Sequence, residues 1–233
     1  MIEPKYHPGE EILLDYAGGS LAEPQALVVA THLAFCPGCR RQVAEMEAIG
    51  GALLDDEAPE PVSLECLAEV MARLDADSDP VRLDHGQVQG GFGTGRRAYP
   101  ALDPELIQIP EPLRGYLGVP LARLDWRFVA RGMDEADFGL NMGPVKARLL
   151  RLQAGAAVPR HSHLGLEINL VLFGGYSDHR GHYHRGDLVI DDNTVDHRPI
   201  AEREAGCMCL SVTDAPLQMT GGLVRFLPAR LRW

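Results

Sequence analysis

The N-terminal third of the chain repeats apolar residues at helical spacing. Four runs show apolar side chains every three or four positions: GEEILLDYA, EPQALVVATHLAF, PGCRRQVAEMEAIGGALL and SLECLAEVMARL. Proline near the start of the second run and at the start of the third is typical of the first turn of a helix. The pattern therefore predicts a small bundle of about four helices within residues 1–78.

The pattern changes after residue 78. Five glycines fall within the ten residues 86–95, a composition that does not build a core and predicts a flexible linker over residues 79–100. From about Trp126 onward the chain has short apolar runs of strand length, separated by Gly, Asp, Asn and Pro: VKARLLRL, INLVLF, DLVI and CMCLSV. Many short strands with frequent turns predict an antiparallel β-sandwich or barrel within residues 101–233, and hence a two-domain α+β fold.

The net charge of the chain is confined to the predicted helical region. Residues 1–78 contain 4 basic and 15 acidic residues, whereas residues 79–233 contain 18 of each. An acidic surface of this kind is either a solvated face or a surface that binds a basic partner. It disfavours direct nucleic-acid binding by this part of the chain, because a nucleic acid is itself an anion.

The sequence also bears on location and on cysteine chemistry. No segment approaches the ~20 uninterrupted apolar residues that span a bilayer, and the start MIEPKYHPGEE has acidic residues where an export signal has basic and apolar ones. We therefore expect a cytoplasmic protein without membrane contact. In a reducing cytosol an odd count of 5 cysteines favours metal binding or simple burial over a disulfide framework.

A first candidate metal site lies in the stretch THLAFCPGCRR. His32 and Cys36 are four residues apart, which places both on one face of a helix, and Pro37 puts Cys36 and Cys39 at the start of the next helix. The positive end of that helix favours thiolate, the form that binds zinc. Three side chains of the first helical region are candidates for a fourth ligand: His7, Asp15 and Glu10. His7 is preferred because imidazole and thiolate are the usual mixture at structural zinc.

The cysteine pair is also compatible with redox chemistry or with simple burial. A C-x-x-C pair occurs in redox-active βα units, and two cysteines can be buried without any shared role. The helices predicted on both sides disfavour the redox pair, and burial alone does not account for the spacing of His32. Zinc is the favoured interpretation, because closed Cys/His sites recur in small domains that have little core of their own.

A second candidate metal site lies in the predicted β region. His161, His163 and Glu167 have the same parity, so on one extended strand all three would face the barrel interior. His197 follows in the stretch GDLVIDDNTVDHRP. Three imidazoles and one carboxylate form a site for a divalent ion, either zinc or iron, manganese, nickel or copper.

The spacing of this second set resembles that of the cupin superfamily. The first cupin motif is matched at all its defining positions: Gly155, His161, His163, Glu167 and Gly174. The second motif is matched at Gly186 and His197, but Asp192 and Thr194 occupy positions where the superfamily usually has Pro and Gly.

Together the two regions resemble the ChrR-type zinc-dependent anti-sigma factors, most closely in LVVATHLAFCPGCR and AIGGALL. The resemblance implies an N-terminal zinc ion held by His7, His32, Cys36 and Cys39. It implies a second metal, also zinc in this family, held in the cupin domain by His161, His163, Glu167 and His197. By this resemblance we expect the chain not to be an enzyme. Proteins of this family sequester an extracytoplasmic-function (ECF) type sigma factor in the cytoplasm and release it under singlet oxygen or organic hydroperoxide stress, for which the cupin domain is needed.

Two other functions compete with this interpretation. Cupins with three His and one Glu include dioxygenases and isomerases, so the chain is alternatively a metal-dependent enzyme with an accessory zinc module. The zinc module itself, and the lack of an obvious acid/base pair beyond the metal ligands, disfavour an enzyme. A zinc-dependent scaffold for some other basic protein would use the same features.

Two further features can each be interpreted in two ways. The apolar stripe of the fourth helical run, which includes Leu67 and Leu74, either packs inside the helical domain or binds the partner. Cys207 and Cys209 share one face of a predicted strand. We favour buried core cysteines over oxidisable sensors there, because cysteine is among the most buried residue types.

Overall fold

A computed structural model of the chain describes residues 3–63, 65–76 and 109–221. The four predicted helices are present as α1 (Glu10–Ala17), α2 (Glu23–Phe35), α3 (Pro37–Asp55) and α4 (Cys66–Ala76). The predicted flexible linker, residues 79–100, lies outside the described residues. None of the helices in the described part of the chain is both long enough and apolar enough to span a bilayer.

The junction between α2 and α3 is built from the cysteine pair itself. Cys36 ends α2 and also caps α3, where its Sγ accepts a hydrogen bond of 3.4 Å from the backbone N–H of Cys39. Pro37 starts α3, as expected for a residue without a backbone N–H at a helix N-terminus. Both cysteines are buried in a small core with Leu13, Val29 and Val43.

A fifth helix, α5 (Glu111–Leu117), and a short 3-10 helix at Leu121–Arg123 precede the strands. The sequence pattern did not predict α5. Leu27 and Val28 of α2 pack with Leu113 of α5 and with the outer face of the β-sheet. Because another face of α2 packs in the small cysteine core, this helix is apolar almost all round, which is typical of a buried helix.

The rest of the described chain is antiparallel β-structure in eleven strands. They are β1 (Trp126–Ala130), β2 (Met133–Met142), β3 (Val145–Leu152), β4 (His161–His163), β5 (Glu167–Ser177), β6 (His182–His184), β7 (Leu188–Asp191), β8 (Asp196–His197), β9 (Ile200–Ala201), β10 (Cys207–Thr213) and β11 (Leu217–Met219). One sheet runs in the order β1-β2-β3-β10-β5-β6, with β7 and β9 also paired to β5, and a second sheet has the order β11-β4-β8. The predicted α+β fold, with helices followed by a cupin-type β-barrel, is confirmed.

The large sheet has two buried faces. Leu149, Leu170 and Leu210 point to the side covered by α2 and α5. Val171 and Cys209 alternate with them and point into the barrel. The barrel wall therefore has the helical core on one side and the predicted cupin site on the other.

Candidate metal centres

The first predicted ligand set forms a compact cluster at the α2–α3 junction. One ligand atom from each of His7, His32, Cys36 and Cys39 lies within 4.8 Å of every other. The His32 Nε2 atom is 3.4 Å from Cys39 Sγ, and His7 Nδ1 is 3.4 Å from Cys36 Sγ. A tetrahedral zinc ion with Zn–S of about 2.3 Å and Zn–N of about 2.0–2.1 Å requires ligand separations of about 3.3–3.8 Å. The geometry of the four side chains therefore fits zinc.

Of the three candidates for a fourth ligand, the structure brings His7 into the cluster. Asp15 instead accepts a hydrogen bond of 3.0 Å from Ser20 Oγ, and Glu10 is exposed at the start of α1. His7 lies on the segment before α1, and the helical pattern of the sequence does not predict where this segment lies. Its placement depends on contacts between this segment and the barrel.

Burial sets the protonation state of the enclosed ligands. It lowers the pKa of His32 to about 4, so this imidazole is neutral at pH 7. The Nδ1–H of His32 donates to the Gly186 carbonyl oxygen at 2.8 Å, which leaves the Nε2 lone pair facing Cys39. Burial, with the neighbouring Cys36 thiol, raises the pKa of Cys39 to about 12. A bound dication would reverse that preference, because a coordinated thiol loses its proton.

The segment that carries His7 is attached to the loop between β6 and β7. Asp187 accepts hydrogen bonds from the backbone N–H groups of Lys5 at 2.6 Å and Tyr6 at 3.0 Å. The N–H of Leu188 in turn donates to the Tyr6 carbonyl at 3.0 Å. Gly186 has φ +93°, and a Cβ there would lie 2.9 Å from Pro4 Cγ, so this position needs glycine both for conformation and for close approach.

The second predicted ligand set converges inside the barrel. His161, His163, Glu167 and His197 are buried, and their ligand atoms lie within 4.8 Å of one another. His161 and His163 lie on β4, but Glu167 begins β5. The expectation that all three share one strand is therefore wrong, because the chain turns between them. Pairing of β4 with β8 places His161 opposite His197.

Hydrogen bonds orient the imidazoles of this second set. The Nδ1 atom of His161 lies 2.8 Å from the Pro159 carbonyl, and that of His197 lies 2.9 Å from Asp178 Oδ2. If each Nδ1 carries the proton, both Nε2 atoms present lone pairs, and these two atoms are only 3.0 Å apart. Two lone pairs at that distance repel unless a cation lies between them. Both the types of ligand and the distances between them therefore fit a divalent metal.

The carboxylate of this set is held in its charged form. Burial acts to raise the pKa of Glu167, but the hydrogen bond with His163 at 3.0 Å and the surrounding imidazoles outweigh it and lower the pKa. The Ser211 hydroxyl donates to the other oxygen of the same carboxylate at 3.2 Å. Glu167 is therefore in the charged form that binds a cation.

An ionic network behind His197, with two buried carboxylates and a partly exposed arginine, was not predicted from the sequence. The Asp178 carboxylate accepts from His197, and Arg180 Nη2 lies 3.2 Å from Asp178 and 2.6 Å from Asp191. Burial acts to raise the pKa of Asp178, but His197 and Arg180 outweigh it and lower the pKa to about 2. The sequence does contain the Asp178-x-Arg180 pair. This pair lies 17 to 19 residues before His197, so no local pattern connects it with the histidine that it supports.

Where the sequence departs from the second cupin motif, hydrogen bonds from side chains close the turn instead. Asp192 Oδ1 accepts from the backbone N–H of Thr194 at 2.9 Å and from its hydroxyl at 2.6 Å. This turn is closed by side-chain hydrogen bonds where the superfamily usually has Pro and Gly. The carbonyl of Asp192 also lies 3.2 Å from His163 Nδ1, so the replaced turn still supports a ligand.

Changing Asp178 to asparagine is expected to lower the affinity of the cupin centre for zinc by about 10–100-fold. The amide can turn an N–H towards His197 Nδ1 and so favour the wrong tautomer at Nε2. Competition with a chromophoric chelator measures the affinity. Asp125→Asn is the matched control, because Asp125 pairs only with the exposed Arg127 among the partners that the structure gives it. Equal affinity in the two variants would contradict the supporting role of Asp178.

Comparison with known proteins places the chain in a family. A family profile described as the ChrR cupin-like domain matches residues 118–216. The anti-sigma-E factor ChrR of Cereibacter sphaeroides is 38% identical over 224 residues, which are 96% of this chain and 94% of that protein. The chain belongs to the ChrR family of anti-sigma factors. The resemblance drawn from the two sequence motifs is thereby confirmed.

A solved structure supports the same ChrR assignment. A chain in the crystal structure of Rhodobacter sphaeroides SigE in complex with the anti-sigma ChrR matches this fold with a TM-score of 0.72 and 35% sequence identity. The match covers 91% of this chain and 100% of that chain. The likeness to ChrR therefore extends over the helices and the barrel together.

Proposed function

We propose that this chain is a cytoplasmic, zinc-dependent anti-sigma factor. Its helical part binds an ECF-type sigma factor, and its cupin barrel responds to oxidative stress so that the sigma factor is released. The observation that carries the proposal is the match to ChrR over 96% of the chain, which favours a regulator over a metal-dependent enzyme. The four ligands at the α2–α3 junction hold zinc, and the four in the barrel hold zinc or another divalent ion.

The surface that we assign to the sigma factor, called here the docking surface, lies on the second half of α3, on α4 and between them. Its apolar side chains are between 48% and 76% exposed: Ile49, Leu53, Leu54, Val62, Leu67, Val70, Met71 and Leu74. Among the described residues, none of the hydrophobic clusters includes a side chain of α4. Packing within the helical part thus leaves this stripe uncovered, and an exposed apolar patch of this kind favours a protein partner.

Charge favours a basic partner for the docking surface. Residues 1–78 contain 15 acidic and 4 basic residues, so the helical part is strongly acidic. A sigma factor contacts promoter DNA through basic surfaces, because the DNA backbone is anionic. An acidic apolar surface can cover those regions and compete with the promoter electrostatically.

We propose β7 as the route from the cupin centre to the zinc centre. Two residues before this strand begins, the Gly186 carbonyl accepts from the zinc-site residue His32 at 2.8 Å. At the other end, Asp191 lies 3.9 Å from His197 Nε2. A change of charge or ligation in the barrel would therefore move a short strand whose far end supports a zinc ligand, and so shift the population towards a form with lower sigma affinity.

Replacing Leu67 with aspartate is expected to weaken binding of the cognate sigma factor at least tenfold, while zinc content stays unchanged. The substitution places a charge in a contact that we assign to apolar packing. Titration of the purified sigma factor against the full chain, followed by optical interferometry, measures the affinity.

Ala72→Asp is the matched control for Leu67→Asp. It adds the same charge to α4, but outside the apolar stripe. Unchanged affinity of the Leu67 variant would remove α4 from the interface. If the full chain bound none of the ECF-type sigma factors encoded in the same genome, the proposed function itself would be overturned.

A further inference from the structure

The barrel encloses a cavity of about 310 Å³ on the side of the sheet away from α2 and α5. Its lining is mainly apolar and includes Met133, Leu150 and Leu152. Phe128, which is 75% exposed, lies at its outer rim. His161 and Glu167 of the cupin centre lie on its wall. The cavity therefore runs from the solvent edge of the barrel to the metal-ligating side chains.

Two buried polar atoms on the cavity wall lack partners. In the described part of the chain, five buried side-chain oxygens have no hydrogen bond. Three belong to the carboxylates of Glu135 and Asp191, each of which faces an arginine. The other two are Asn169 Oδ1 and the Tyr176 hydroxyl, in side chains that are 8% and 5% exposed, and both residues line the cavity. Buried polar groups are nearly always paired, so these two atoms indicate a missing partner.

Both unpaired atoms belong to residues close to the cupin centre. Asn169 lies two residues from Glu167 on β5, with the same parity, and is paired across the sheet with Ser211. Burial raises the pKa of Tyr176 well above its usual value, and Cys209, Asp191 and Glu167 raise it further, so the phenol is neutral. On β3, Leu150 and Leu152 line the same cavity and supply apolar surface. The cavity thus offers two unpaired polar atoms within a mainly apolar wall.

We infer that this cavity binds an uncharged aliphatic molecule that carries a hydroxyl group at one end. A hydroxyl can donate to Asn169 Oδ1 and accept from the Tyr176 O–H, whereas a carboxylate has no proton to donate to Asn169 Oδ1. The apolar chain then lies along Leu150 and Leu152. An apolar cavity of about half this volume holds benzene, so roughly eight to twelve non-hydrogen atoms fit. The inference goes beyond the proposed function and does not depend on sigma binding.

Titration of 1-octanol into the full chain loaded with zinc, followed by calorimetry, tests this inference. We expect saturable binding with a Kd of roughly 1–100 µM, and at least tenfold weaker binding of octanoate. Tyr176→Phe is expected to weaken octanol binding about tenfold without lowering the Tm, because the lost hydroxyl has no partner within the protein. Leu150→Trp is expected to fill part of the cavity and abolish binding.

Tyr116→Phe is the matched control, because its hydroxyl bonds to Glu23 Oε1 outside the cavity, and octanol binding should not change. Absence of saturable octanol binding would overturn the inference. So would equal affinities for octanol and octanoate, or an unchanged Kd in Tyr176→Phe. If Leu150→Trp does not fold, the Tyr176→Phe result decides alone. None of these results bears on the Leu67→Asp test, so the two proposals fail separately.

Discussion

Replacing Cys36 with serine is expected to remove the N-terminal zinc ion and, with it, sigma binding. Cys36 contributes one of the two thiols in the cluster, and its Sγ also accepts the first hydrogen bond of α3. A serine hydroxyl is a poor substitute because it stays protonated, whereas zinc binds the thiolate. Removing a group that only hydrogen-bonds to a metal ligand lowers metal affinity by up to about 100-fold. Because Cys36 is itself a ligand, we expect zinc affinity to fall by more than that.

The loss of zinc should also loosen the helical part. Structural zinc contributes ~10–16 kcal/mol to the folding of zinc-finger peptides, since binding and folding are coupled there. Here the cost is smaller, because Leu27 and Val28 of α2 remain packed against α5 and the barrel. The small core around Leu13 and Val43 has no such support and is expected to open first.

Metal analysis and amide hydrogen exchange over α1 and α3 measure both effects. Cys66→Ser is the matched control, because Cys66 is exposed at the start of α4 and lies outside both clusters. We expect this variant to keep its zinc and its exchange pattern. A Cys36→Ser protein that retains both metals and captures the sigma factor with full affinity would contradict the assignment of a zinc-dependent fold.

The elements with a strong local period were predictable from the sequence. The run PGCRRQVAEMEAIGGALL became α3 (Pro37–Asp55), and VKARLLRL became β3 (Val145–Leu152). Ligands with short spacings, such as His161 and His163 or Cys36 and Cys39, were also predictable as neighbours, because helix and strand geometry fixes such distances.

What sequence reasoning missed depends on contacts between distant segments. The apolar run in α2 indicated a helix, but it did not show that Leu27 and Val28 pack on the barrel. The segment EPLRGYL, which became α5, contains Pro and Gly and has no clear helical signal. Asp187 bonds to residues 181 and 182 positions away, and no local pattern encodes such a pair.

Replacing Asp187 with alanine is expected to weaken zinc binding at the N-terminal centre without changing any ligand. The carboxylate is 2% exposed and accepts three backbone N–H groups, those of Lys5, Tyr6 and His184. Its removal leaves three donors without a partner, each costing about 1–3 kcal/mol if it stays buried. The loss of stability would be about 3–5 kcal/mol if the three donors stayed buried. The N-terminal segment avoids most of this cost by detaching, because its N–H groups then bond to water.

Detachment of this segment carries His7 away from the other three ligands. The zinc ion then keeps His32, Cys36 and Cys39, which remain on α2 and α3, and loses its fourth ligand. Loss of protection of the Leu188 amide, which donates to the Tyr6 carbonyl, together with faster zinc transfer to a chelator, would report the event. Asp137→Ala is the control, because Asp137 is exposed and accepts a backbone N–H from Gly139 at 2.8 Å within its own turn.

The same variant separates two roles for the loop before β7. If the loop only adds stability, Asp187→Ala will lower the Tm while zinc transfer and protection of the Leu188 amide stay as in the parent protein. If it positions a ligand, zinc transfer will accelerate at temperatures where the barrel is still folded and the cupin centre still holds its metal. Because Gly186 and Asp187 lead directly into β7, the second result would mean that a displacement at this strand is sufficient to disturb the zinc centre. Sigma affinity should then fall in the Asp187 variant even though the docking surface on α3 and α4 is unaltered.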